Sequence, residues 1–161
     1  LFIRIIKIIN INNIRIMELV KSIFDNAPKT VEYEGKYVRI NFDIDVTEVS
    51  LGNTENDNVG DSKDKKKTVA TRSAFSAYVV RVAHPLERDK VIDAIVSAGY
   101  PSDKMQAIIN NHLVNLATLA DGGKLDNDEL AHEEEYNAMQ EWRKKAKTVA
   151  SEVMKIHLSN V

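Results

Sequence analysis

The chain has 161 residues, 43% of them hydrophobic and 29% charged, which is enough for one sizeable core and a single domain with extensions. Its formal net charge of -2 gives no global reason to bind nucleic acid or an acidic membrane surface, so any such binding needs a local patch. The absence of cysteine excludes disulfides, thiolate metal sites and thiol nucleophiles, leaving His and carboxylates as metal ligands.

Residues 1–16 consist almost wholly of Ile, Asn, Leu, Phe, Lys and Arg, the residues that AT-rich codons supply, and read as a leader ahead of a natural start at Met17. Arg4, Lys7 and Arg15 interrupt its apolar run and no small-residue cleavage site follows, so a secretory signal peptide is not expected. Met17 to Phe24 shows a short helical pattern that Asn26-Ala27-Pro28 ends. Thr30 to Tyr33 and Lys36 to Val49 then read as a hairpin across Glu34-Gly35. Its second arm alternates, with Val38, Ile40, Phe42, Ile44 and Val46 toward a core and Arg39, Asn41, Asp43, Asp45 and Thr47 toward water. Residues 51–67 are polar and Gly-containing, running from acidic to basic, and are expected to be a mobile loop.

Thr71 to Val82 is apolar on both faces, with Phe75, Ala77 and Val79 on one and Ala74, Tyr78, Val80 and Val82 on the other, so it should run through the middle of a layered structure. Pro85 and Gly99 bracket a helix over Leu86 to Ala98. A second helix, capped by Ser102, carries Met105, Ile108, Ile109, Leu113, Leu116 and Ala120 at helical spacing until Gly122-Gly123. Asp126 and Glu129 stand as in a capping box and open a long C-terminal helix. Along it Met139, Trp142, Ala146, Val149, Val153 and Ile156 step by three and four in alternation, the spacing of a coiled-coil seam. At about 30 residues, or roughly 45 Å, this helix is expected to project beyond its domain and to meet a second copy along that seam.

Candidate chemistry is sparse. Asp43-Ile44-Asp45-Val46-Thr47 resembles the start of haloacid-dehalogenase-type phosphatases, but Val46 stands in the glycine position and the alternation continues through, so both carboxylates are assigned to a solvated strand face. His132 is followed at the fourth position by Tyr136 rather than a second His, and His84, His112 and His157 are scattered; no metal, cofactor or small-molecule substrate is expected. Residues 86–120 have the outline of a helix-turn-helix, with Lys104, Gln106, Asn110 and Asn111 able to meet base edges or phosphates. That second helix has no arginine and its one lysine follows Asp103, which makes nucleic acid the weaker partner.

The segment Tyr136-Asn137-Ala138-Met139-Gln140-Glu141-Trp142-Arg143-Lys144-Lys145-Ala146-Lys147 resembles the C-terminal Trp-Arg helix of small bacteriophage tail-fibre assembly and related phage-encoded proteins. The resemblance implies a product that works by packing against other proteins, in a virion or the host cytoplasm. The resulting expectation is an α+β fold: a small antiparallel β-sheet, a helical hairpin and a long C-terminal helix. The chain divides into a leader (1–16), an α+β domain (17–123) and the helix (124–161). The expected function is that of a non-enzymatic structural or assembly protein, associating with itself and with other structural proteins and not with membranes. A nucleic-acid-binding regulator using residues 86–120 is the alternative.

Overall fold

A computed structural model describes residues 17–50 and 71–159. The expected leader (1–16) and the expected mobile loop (51–67) lie outside them. Among the described residues the protein is α+β: β1 (Ser22–Phe24), β2 (Val31–Glu34), β3 (Tyr37–Ser50) and β4 (Thr71–Ala83) form an antiparallel sheet in the order β1-β4-β3-β2, followed by three helices. β2 (Val31–Glu34) and β3 (Tyr37–Ser50) form the expected hairpin, and Gly35 takes the positive φ of 58° that its turn requires. β4 (Thr71–Ala83) returns along the whole of β3 and lies inside the sheet, as its two apolar faces require.

Two sequence expectations for the sheet are corrected. Ser22–Phe24 is not helical; it is a short edge strand, β1, paired with Phe75 to Ala77 of β4. Three apolar residues could not settle the period over so short a stretch, and the unpaired edge of β4 decides it. Nor does β3 alternate to its end. Asp43 adopts φ 51° and a bulge between Phe42 and Asp45 inserts one residue, so every side chain beyond it changes face. Val46 therefore pairs with Phe75 on the side away from the helices and is 70% exposed.

The core lies between the helix-facing side of the sheet and the helices. Val31, Val38, Ile40, Phe42, Val80 and Val82 meet Leu86, Val91 and Ile95 from α1 (Arg88–Gly99) and its entry, and the buried seam of α3 (Asn127–Ser159). The seam is Met139, Trp142, Ala146, Val149 and Val153, all buried, with Ile156 half-buried behind them. The expected projection of this helix is thus corrected: its seam is covered by its own sheet and α1. Its length is used in two parts, since α2 (Ser102–Ala120) covers the N-terminal third. α3 opens as the capping box predicts, with the Asp126 carboxylate accepting from the Asp128 and Glu129 amides at 2.9 Å and the Glu129 carboxylate accepting from the Asp126 amide.

Trp142 fixes the layers to one another. Its Nε1 donates to the Ile95 carbonyl at 2.9 Å, and its ring packs on Phe42 and, edge-on, on Tyr78. Gly99 admits it: a Cβ at that position would lie 2.8 Å from the indole Cε2, inside van der Waals contact. We expect Gly99→Ala to destabilise by about 1–3 kcal/mol through overpacking, and Trp142→Ala by about 3–5 kcal/mol through the cavity left behind. Urea unfolding of each variant checks both values, and a neutral Gly99→Ala would contradict the packing described.

Candidate functional site

Residues from Met105 to Ala120 include no Asp, Glu, Lys or Arg, although 29% of the whole chain is charged. α2 is also set in an unusual rotation. Asn115, 1% exposed, and Ile108 face α3, while Leu113, Val114, Leu116 and Leu119 are 46–62% exposed. The apolar set that the spacing assigns to the core is therefore divided. Met105, Ile108 and Ile109 pack inward, and Leu113, Leu116 and Ala120 face outward.

A buried polar junction sets the rotation. Asn115 Nδ2 donates to the Glu129 carbonyl at 2.8 Å and to Glu133 Oε1 at 2.9 Å, and Glu133 also meets His112 Nδ1 at 2.8 Å. The His112 ring stacks on Tyr136, centroids 3.6 Å apart and planes 7° from parallel. Rolling α2 to bury its leucines would pull Asn115 from both acceptors and leave Glu133 without its donors, a cost comparable to the apolar gain. The partial burial of Glu133 pushes its carboxyl upward. Hydrogen bonds from His112 and Asn115 and the charges of His112 and His132 outweigh this, and the net shift is downward.

The residues singled out for nucleic acid lie on this same helix. Gln106 and Asn110 are exposed and bonded to each other at 2.9 Å, Asn111 is half-buried, and the Lys104 ammonium sits 5.8 Å from the centre of the Tyr100 ring. Burial, with Glu135 nearby, pushes the Tyr100 phenol up to about 12. α1 and α2 each pack chiefly on α3. The seam residues proposed as an oligomer interface, Met139, Trp142, Ala146, Val149, Val153 and Ile156, belong instead to the intramolecular core, because the sheet and α1 reach them first.

Asp43 and Asp45, assigned to a solvated face, each carry an ion pair: Asp43 with Lys145 of α3 and Asp45 with Lys21. Lys21 Nζ also donates to the Asp43 carbonyl at 2.6 Å, so that with the Lys145 pair the bulge is tied to both the N-terminal segment and α3. A cleft of about 520 Å³ opens between that segment and the outer face of the sheet, lined by Glu18, Val20, Phe24, Arg39 and Arg81 among others. Both arginines are already engaged, Arg39 by Glu32 and Glu34 and Arg81 by Glu34 at 2.9 Å. Among the described residues no group of His, Asp and Glu converges as metal ligands would, and no helix is long and apolar enough to cross a membrane.

No protein-family model, curated protein or solved structure matches this chain. The candidate site rests on the geometry of α2 alone. Sequence reasoning placed the interface on α3 and missed Leu113, Val114, Leu116 and Leu119 as surface residues. The available signal was the uncharged run itself, with His112 and Asn115 interrupting the face expected to be buried.

The downward shift of Glu133 has a testable sign. The stabilisation it gives is complete above the ordinary carboxylate range and is lost as pH falls through the acid range. Between pH 7 and about pH 3 the melting-temperature advantage of the parent over Glu133→Gln should therefore shrink toward zero. A constant difference across that range would show that the carboxylate charge plays no part in holding α2.

Proposed function

We propose that the chain is a non-enzymatic structural or assembly protein that acts through protein–protein contacts, first of all with copies of itself. The observation that carries this reading is the outward face of α2: four large aliphatic side chains on a helix without charges from Met105 to Ala120. Depletion of charge with retention of large apolar groups is the composition of an interface centre rather than of a solvated helix. A role in a bacteriophage virion or its assembly, in the virion or the host cytoplasm, rests on the resemblance of Tyr136 to Lys147 to phage assembly helices.

Magnitudes bound the affinity. Completing the burial of Leu113, Val114, Leu116 and Leu119 on two partners would recover roughly 6–12 kcal/mol at about half of 1.5–3 kcal/mol per side chain. Association costs of about 4–15 kcal/mol offset much of this, so the dissociation constant should be no tighter than about micromolar. Sedimentation equilibrium from about 5 to about 500 µM should show reversible self-association across that window. Leu113→Glu with Leu116→Glu should give a monomer with unchanged or higher melting temperature, since neither side chain supports the core. A parent that stays monomeric throughout, or a double variant that loses its fold, contradicts the proposal. Association with DNA that weakens steeply as salt rises would favour Lys104, Gln106, Asn110 and Asn111 acting as a nucleic-acid face instead.

A further inference from the structure

We infer that the open edge of β4 is a docking site for an extended segment of another polypeptide, added antiparallel with an acidic residue opposite Arg81 and an apolar one opposite Val79. This surface is separate from α2 and stands whether or not α2 associates. Hydrogen-bond parity shows where the edge is open. The His84 amide donates to the Lys36 carbonyl and the Asn41 amide to the Thr30 carbonyl, so residues 78, 80 and 82 turn their backbone groups toward β3. Val79 and Arg81 turn theirs the other way, toward the edge. β1 covers that edge only at Phe75 to Ala77. Beyond it the N-terminal segment leaves the sheet, its Glu18 amide donating to the Gly99 carbonyl, and among the described residues no backbone carbonyl accepts from the Val79 or Arg81 amide. The cleft of about 520 Å³ lies along this stretch, lined by Val79 and Arg81 from β4 and by Leu19 and Val20 from the segment. A strand seated there at the usual spacing of about 4.8 Å would continue the line of β1, and only an extended polypeptide supplies the alternating donors and acceptors that the edge needs.

Charge selects the occupant. On the outer face Glu32, Arg39 and Arg81 are cross-strand neighbours in one row, which sets two like charges directly opposite each other. Among the described residues their carboxylate partners both come from β2: Glu32 and Glu34 on Arg39, and Glu34 on Arg81 at 2.9 Å. A carboxylate on the open side of Arg81 would complete the row. Extended two pairs further, the register of β1 assigns that place to Glu18 and the place opposite Val79 to Val20. The chain's own segment thus spells the acidic-x-apolar order that fits, although its Glu18 amide is bonded to Gly99 instead. A second copy joined edge to edge does not fit, because Thr71–Ala83 has no acidic residue and two-fold pairing brings the two Arg81 side chains toward each other.

The probe is a fluorescein-labelled peptide amide, Thr-Glu-Thr-Val-Thr, whose Glu and Val fall opposite Arg81 and Val79, titrated with the full chain and read by fluorescence anisotropy. Saturable binding with a Kd below about 1 mM is expected. N-methylation of the Val, which faces Val79 as a hydrogen-bonded pair, should abolish binding. N-methylation of the central Thr, whose amide points away from β4, should leave it unchanged. Exchanging the peptide Glu for Gln, or Arg81→Gln in the chain, should each weaken binding several-fold, and the two together no further than either alone. Circular dichroism confirms that Arg81→Gln is folded, and the peptide arms decide the matter without any change to the chain. No binding at about 1 mM, or equal loss on methylation at either place, overturns the edge site. Binding indifferent to the exchange of Glu for Gln overturns the acidic partner. Sedimentation of the chain without peptide reads α2 association independently, so failure of one surface is distinguishable from failure of the other.

Discussion

The insertion of Trp142 beside Gly99 is the contact on which the arrangement of layers depends. One indole joins α1 through the Ile95 carbonyl, the sheet through Phe42 and Tyr78, and α3 to which it belongs. The absence of a side chain at Gly99 makes room for the ring. Once Trp142 is seated, the three-and-four spacing carries Met139, Ala146, Val149 and Val153 onto the sheet, and α3 cannot offer that seam to a second chain.

Committing α3 in this way determines what α2 can do. Only the first third of the 33-residue helix remains for it, and there, beyond the inward-packed Met105, Ile108 and Ile109, the contact is polar: Asn115 and His112 against Glu133 and the Glu129 carbonyl. A buried polar pairing contributes modest net stability but opposes alternative rotations, since each alternative strands a desolvated donor or acceptor. Orientation is therefore set by hydrogen bonds and not by apolar area. The aliphatic residues left outside make α2 the surface through which the protein is proposed to assemble. Function, on this view, follows from where the core ran out of faces to cover.

Much of the fold is legible in the sequence where one local signal acts alone. The Gly35 turn, the two apolar faces of β4, the Asp126–Glu129 capping box and the three helices after Pro85 are all present in the structure. Where two signals compete, the local pattern misleads. Alternation in β3 continues past Asp43 on paper, but Asp tolerates the left-handed conformation, and one inserted residue exposes Val46. Periodicity identifies the apolar side of α3 correctly and says nothing about whether its own sheet or another chain covers that side. In α2 the same pattern points Leu113 and Leu116 inward, and a pairing between distant residues, Asn115 with Glu133, overrides it. The candidate site was thus legible in its composition, as a run without charge, but not in its orientation.

Solvent accessibility of side-chain protons, followed by paramagnetic relaxation from a soluble agent over a dilution series, tests the rotation and use of α2 together. Met139 and the other seam residues of α3 should stay protected at every concentration, while Leu113 and Leu116 should be strongly relaxed when dilute and become protected as concentration rises. Protection of Leu113 and Leu116 at the lowest concentration would mean that α2 buries its leucines in the monomer. Exposure at every concentration would mean that no second copy covers them.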